Sequence, residues 1–83
     1  MNLYLISQDK NNDYDTFDSA VVAANNVKEA QMMHPYDFYG SSEKWLGEET
    51  STWCRYNHVD IKLLGKAKKG TVKSVILASF NAG

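Results

Sequence analysis

The residues best suited to nucleophilic or metal chemistry are one cysteine and two histidines. Cys54 and His58 lie four positions apart, and His34 lies far before them. A structural zinc site usually has four ligands in paired spacings, and a cysteine nucleophile needs a base that nothing in the local sequence marks. We therefore interpret Cys54 as a small buried hydrophobe and His34 as a positively charged residue near a helix end. We predict no catalytic residue and no metal ligand.

An acidic segment near the start could bind a hard cation. Its oxygen-bearing side chains belong to Asp9, Asn11, Asp13, Asp15 and Asp18. Such oxygens suit Ca²⁺ and Mg²⁺, but the EF-hand spacing fails. Counted from Asp9, the sixth position is Tyr14 rather than glycine, and the twelfth is Ala20 rather than glutamate. We favour a solvated loop without a cofactor, and the sequence leaves cation binding open.

The chain divides into an acidic and a basic part. Residues 1–49 contain nine acids and three lysines, a net charge of −6, and residues 50–83 contain one acid and six basic residues, a net charge of +5. The candidate basic site consists of Arg55, Lys66, Lys68 and Lys69. With neighbouring aromatic rings, these side chains could bind a phosphate or single-stranded nucleic acid. We favour the alternative that the lysines keep a sheet edge soluble.

Aromatic side chains are concentrated in an irregular insert at residues 36–58, which has no helical or strand period. Tryptophan and tyrosine are enriched in protein interfaces, so the insert is the candidate partner-binding segment. Its predicted contact residues are Tyr36, Phe38, Tyr39, Trp45, Trp53 and Tyr56. The alternative is that the same rings complete the core of a small domain. A structureless loop of this length is unusual in a compact domain, so the insert either contains a short helical turn around residues 42–46 or is the functional loop, and the sequence leaves both open.

Hydrophobic patterns predict the elements that position these residues. We expect strands at residues 3–8, 20–24, 59–65 and 73–80, the third of which alternates most clearly. Asn26 and Glu29 have the spacing of a helix capping box, and Pro35 ends the helix. The alternative is one longer helix over residues 20–34, capped by Ser19. We also expect Phe80 to be buried near the end of the last strand.

These elements predict one domain over residues 1–83 with the order β-β-α-insert-β-β. This order favours an α+β fold in which a small, mostly antiparallel, four-stranded sheet packs against one helix. The single cysteine cannot form an intramolecular disulfide, and the first residues lack the pattern of a signal peptide. We therefore expect a cytoplasmic protein.

Several segments resemble a family of small uncharacterised proteins encoded by bacteriophages and prophages. They are LYLISQ, YDTFDSAVVAA at residues 14–24, His34-Pro35 and the closing VILASFNAG. The resemblance covers the first 35 residues and the last nine or so, and it does not extend to residues 36–58. It implies no site residue, but it implies a phage accessory protein in the bacterial host cytoplasm.

The resemblance and the missing catalytic motifs together favour a non-enzymatic protein that binds a host or phage macromolecule. Such a partner would be a protein, for example one involved in host defence or host takeover. The alternative is a small-ligand or nucleic-acid binder that uses the lysine-rich turn and the aromatic rings.

Overall fold

The computed structural model describes residues 1–12, 14–39 and 44–81. Within these ranges the chain forms a four-stranded antiparallel sheet, one short helix and two 3₁₀ turns. The elements are β1 (Asn2–Ser7), β2 (Thr16–Ala24), α1 (Val27–Gln31), 3₁₀ turns at Pro35–Tyr39 and Tyr56–His58, β3 (Asp60–Lys66) and β4 (Ser74–Asn81). The predicted α+β fold and its order β-β-α-insert-β-β are confirmed.

The strands lie in the order β3-β1-β2-β4, so the last two strands form opposite edges of the sheet. The lysine-rich segment at residues 67–73 contains a turn in which the Thr71 N–H donates to the Lys68 carbonyl at 3.0 Å. It nevertheless does not join neighbouring strands. It crosses the end of the sheet over three strand spacings, roughly 14 Å. The Ala67 N–H donates to the Met1 carbonyl at 3.0 Å on the way.

The core lies on one face of the sheet. Tyr4 and Ile6 of β1 are paired with Val22 and Ala20 of β2, and all four side chains are buried. Helix α1 contributes Ala30 to the same buried cluster. Residues at the intervening positions of both strands point to the opposite face. The core therefore depends on the two central strands, which come from the acidic half of the chain.

Helix α1 is shorter than predicted but begins where the sequence indicated. The Asn26 side chain accepts a hydrogen bond from the Glu29 N–H at 2.8 Å, and the Glu29 carboxylate accepts one from the Asn25 N–H at 2.9 Å. This bond from the Asn25 backbone lowers the pKa of Glu29. Since β2 continues to Ala24, the alternative of a single helix over residues 20–34 is wrong.

Strand β2 begins at Thr16, earlier than the predicted start at Ala20. The aspartates of this segment favoured a loop, but Thr16 and Phe17 are buried and pair with β4. A register shift between Phe17 and Ser19 accommodates Asp18, which stays exposed. A bulge therefore places a turn-forming residue within a strand.

The expectation that Phe80 is buried is wrong. Its side chain is 39% exposed, although its ring contacts the Phe17 ring edge-on with 4.9 Å between centroids. The physical reason is that β4 is an edge strand, so one side of the Phe80 ring has no neighbouring strand to cover it.

A 3₁₀ turn lies at each end of the insert. The first turn, Pro35–Tyr39, begins one residue before the insert, and the second, Tyr56–His58, lies wholly within it. The predicted helical turn around residues 42–46 falls in part on residues 42 and 43, which lie outside the described ranges, and residues 44–46 are not helical.

The Asn26 cap is expected to stabilise the domain measurably. Asn26→Ala removes the acceptor for the Glu29 N–H and should lower the free energy of unfolding by about 1 kcal/mol. Asn26→Asp keeps an acceptor at the same position and should retain wild-type stability. Thermal unfolding followed by circular dichroism compares the two variants, and an Asn26→Ala protein that melts with the wild type would contradict the role of the cap.

Candidate functional site

His34 lies directly after α1 and is buried. The Tyr36 N–H donates to His34 Nδ1 at 3.0 Å, and His34 Nε2 lies 3.0 Å from Thr50 Oγ1. Because Nδ1 accepts, the proton of the neutral ring is on Nε2 and is donated to Thr50. Burial lowers the pKa of His34 to about 4. The residue is therefore a neutral link between two segments, and the expectation of a helix-end cation is wrong.

Aromatic rings surround the His34 ring. The centroid of the Trp45 ring lies 5.4 Å away, and those of Phe17, Tyr36 and Trp53 lie 6.3, 6.4 and 6.4 Å away. The contacts of His34 with Trp45, Phe17 and Tyr36 are edge-to-face, and this arrangement adds to the stabilisation from burial. The histidine thus fixes the positions of rings that come from β2, the insert and the first 3₁₀ turn.

The loop that contacts His34 is closed by hydrogen bonds between Thr50 and Trp53. The Thr50 N–H donates to the Trp53 carbonyl at 2.9 Å, and the Trp53 N–H donates to Thr50 Oγ1 at 3.1 Å. The Asn11 side chain donates to the Thr50 carbonyl at 2.7 Å. This hydrogen bond connects the acidic segment to the insert.

Buried Gln8 shapes the acidic segment. Its side-chain oxygen accepts from the N–H groups of Lys10 and Asn11 at 2.9 and 2.8 Å. Its amide nitrogen donates to the Phe17 carbonyl at 2.8 Å and to the Asn11 carbonyl at 2.6 Å. Among the described residues no group of three or more His, Cys, Asp or Glu could hold a metal ion. Asp13 lies outside the described ranges.

A groove runs along both sides of Trp45, and we call it the Trp45 groove. One part has a volume of about 780 Å³ and includes Met32, Met33 and Val75 in its lining. The other part has a volume of about 430 Å³ and includes His34, Tyr36, Leu46 and Thr50. Both parts share Asp37, Lys44 and Trp45. The two parts therefore form one concave surface, which α1, the first 3₁₀ turn, the insert and the start of β4 build together.

Charged side chains line the larger part of the groove. They are Lys28, Lys44, Lys73, Glu29 and Asp37. The Glu29 carboxylate already accepts the Asn25 N–H. Burial raises the pKa of Asp37, while the charge of Lys73 acts in the opposite direction. The smaller part adds Glu48 and Glu49, so the groove as a whole has three lysines and four acids, and its charge is mixed rather than positive.

The predicted partner-binding residues do not all lie in this groove. Tyr36 and Trp45 line it, and the Trp45 ring is held by its Nε1–H, which donates to the Glu48 carbonyl at 2.8 Å. Phe38 is also partly exposed but is not among the groove-lining residues. The Tyr56 ring packs near Gly47 instead. The side chain of Tyr39 lies outside the part of the chain that is described.

Trp53 is completely buried and belongs to the core rather than to an exposed contact surface. Its inclusion among the partner-binding residues is therefore wrong. The reason is that the Thr50–Trp53 loop turns the ring inward, where it lies beside His34. Within the described ranges the buried Trp53 Nε1–H has no hydrogen-bond partner, a cost that the burial of a large ring offsets.

The structure distributes the basic residues differently from the predicted site. Arg55 lies over the Tyr56 ring at 5.4 Å, in the loop before β3. Lys66 is the last residue of β3, and Lys68 and Lys69 follow it in the chain. All three side chains are exposed. The lysines of the groove are instead Lys28, Lys44 and Lys73. No local pattern marks this second set, because its members come from three distant segments.

The candidate nucleophile is inaccessible. Cys54 is completely buried, and burial raises the pKa of its thiol to about 11. The thiol therefore stays protonated at neutral pH, and the thiolate is the reactive form. His58 lies on the exposed Tyr56–His58 turn. The interpretation of Cys54 as a buried hydrophobe is confirmed.

No protein-family model, curated protein or solved structure matches the chain. A search of the described residues for a helix long and apolar enough to cross a membrane also finds none.

The buried His34 ring is expected to make stability depend on pH. Between pH 6.5 and pH 4 the unfolded chain binds a proton at this ring and the folded protein does not. Stability from His34 is therefore complete above about pH 6.5 and falls as the pH drops toward 4, by about 1–2 kcal/mol. Urea unfolding of wild type and His34→Gln over this range measures the effect.

The difference in stability between wild type and His34→Gln should be largest at neutral pH and should shrink on acidification. His58→Gln is the matched control, because His58 is exposed, and it should retain the wild-type pH dependence. Parallel pH curves for wild type and His34→Gln would contradict this role of His34.

Gly47 and Gly70 offer a matched pair for testing how tightly the Tyr56 ring packs against Gly47. Both have positive φ, +94° and +90°. A Cβ on Gly47 would lie 2.9 Å from Tyr56 Cδ1, whereas one on Gly70 would have nothing within 4 Å. Gly70→Ala should cost about 1–2 kcal/mol of backbone strain. Gly47→Ala should cost at least about 1 kcal/mol more, because the Tyr56 ring must shift. Equal losses in chemical unfolding would show that the Tyr56 contact is unimportant.

Proposed function

We propose that this protein acts by binding another protein, and that the Trp45 groove is the contact surface. The observation that supports the proposal is the combination of exposed apolar surface and charge in one concave place. Leu46 is 76% exposed there, and half-buried Trp45 lies between the two parts of the groove. Exposed apolar side chains in a concavity are characteristic of sites where a partner anchors.

The rigidity of one wall supports the same proposal. The rings of Tyr36 and Trp45 contact His34, whose two ring nitrogens both have hydrogen-bond partners. A wall that is already ordered loses little conformational entropy on binding. The groove is therefore suited to hold a partner side chain without rearrangement.

A protein partner fits the groove better than a nucleic acid does. Its three lysines are accompanied by four acids, Glu29, Asp37, Glu48 and Glu49, so the surface has mixed charge. Nucleic-acid sites are usually strongly positive along a continuous track. The lysines at positions 66, 68 and 69 are not among the groove-lining residues.

The resemblance of the terminal segments to phage and prophage proteins supplies the biological context of the proposal. In that context the protein is a non-enzymatic accessory factor of the bacterial cytoplasm. Its partner is then a host or phage protein, in a counter-defence or host-takeover role.

Site-specific photo-crosslinking tests the contact surface. A photoreactive residue replaces Leu46 in the groove or, as the control, Leu63 on β3, which is 59% exposed and does not line the groove. Both proteins are expressed in bacteria, irradiated and analysed by mass spectrometry. We expect one protein adduct from position 46 that position 63 does not give, and equal adducts from both positions would overturn the proposal.

A second variant tests whether the groove binds through its aromatic ridge. Trp45→Ala should reduce the amount of the position-46 adduct at least tenfold, while circular dichroism verifies the fold. Adducts with nucleic acid that disappear with added salt would instead favour the alternative, a nucleic-acid binder. An undiminished adduct after Trp45→Ala would show that the partner does not contact this ring.

A further inference from the structure

The outer edge of β4 has no neighbouring strand among the residues that the structure describes, since the sheet order ends there. The backbone N–H and C=O groups along such an edge can pair with another extended chain. Proteins usually protect edges with charged side chains, bulges or short strands. The two edges of this sheet differ in how far they use these devices.

Strand β3 is protected by charge, and β4 is not. Asp60, Lys62 and Lys66 lie on β3, whereas the eight residues of β4 include no charged side chain. Ile76 on β4 is about half-exposed and Leu77 is 60% exposed. The edge of β4 is thus long, neutral and apolar over the described residues, and it is interrupted by a register shift at Ile76.

We propose that β4 pairs with β4 of a second copy of this chain, antiparallel and about a two-fold axis at Ala78. The register with β2 fixes the faces, because Ala78 is paired with core residue Ala20 and Leu77 with Val21. An axis at Ala78 sets Leu77 opposite Ser79 of the second copy. Residues of the same face then meet, as an antiparallel ladder requires.

The position of the axis also avoids the irregular part of β4. The register shift relative to β2 lies at Ile76, before Ala78. The residues nearest the axis, Leu77 to Ser79, follow it. The pairing extends the sheet to eight strands and brings the two Leu77 side chains close on the face that α1 does not cover.

Charge complementarity favours a second copy as the occupant of this edge. Lys73 directly precedes β4, and Asp15 lies at the opposite end, where its N–H donates to the Asn81 carbonyl at 2.6 Å. An antiparallel second copy brings its Lys73 toward Asp15 of the first, and the two-fold axis repeats this approach. A neutral strand that has a positive residue near one end and a negative residue near the other is self-complementary.

Sedimentation velocity over a series of concentrations tests the proposal. We expect wild type to change from monomer to dimer as its concentration rises. Leu77→Lys places two like charges beside the axis and should weaken self-association at least tenfold. Leu63→Lys is the matched control, since Leu63 is 59% exposed on the other edge strand, and it should dimerise like wild type.

Ser79→Lys is a second variant beside the two-fold axis, in case Leu77→Lys does not fold, and it should also weaken self-association at least tenfold. Amide exchange locates the interface, because amides of β4 should become protected as the concentration rises and those of β3 should not. A monomeric wild type at every concentration, or equal loss of dimer in the β3 control and in the folded β4 variants, would overturn the proposal. None of the substituted residues lines the Trp45 groove, so this outcome is independent of partner binding.

Discussion

The hydrogen-bond chain that runs from Gln8 through Asn11 and Thr50 to His34 determines where the groove lies. Gln8 fixes the loop that follows β1, and Asn11 of that loop holds the Thr50 carbonyl. The Thr50 hydroxyl then meets the His34 ring. Buried polar groups of this kind are costly without partners and stabilising once they have them. These hydrogen bonds thus join three segments that have little regular secondary structure of their own.

This arrangement explains how a small domain can maintain an insert with few helical or strand residues. Apolar burial is concentrated under the two central strands, where Tyr4, Ile6 and Val22 lie. The insert adds Trp53 and Cys54 to that core and is held by directional hydrogen bonds rather than by a helix. The insert therefore presents exposed Leu46 and half-buried Trp45 to the groove from a backbone that these hydrogen bonds hold in place.

Local patterns in the sequence were sufficient to predict the strands and the start of the helix. Alternating apolar residues marked β3, and Asn26 with Glu29 marked the cap, because both signals depend only on neighbours in the chain. The start of β2 at Thr16 was missed, since burial of Phe17 by distant residues overrode the turn preference of its aspartates.

The groove was harder to predict than the fold. Its aromatic residues Tyr36 and Trp45 were recognised from composition, but composition could not separate them from buried Trp53. The neutral state of His34 depends on Thr50 and on rings from several segments, and none of these is a sequence neighbour. Residues that act together only through tertiary packing leave no spacing to detect.

The crossing of residues 67–73 over the end of the sheet has a consequence for the order of folding. β1 and β2 are close in the chain and pair directly, whereas both edge strands need that pair as a template. β3 pairs with β1 and β4 with β2, so residues 67–73 must span the end of the central hairpin between them. Forming such distant pairings requires the closure of long loops, which slows folding. During synthesis the acidic half emerges first, so the central hairpin can form while the basic edge strands are still being made.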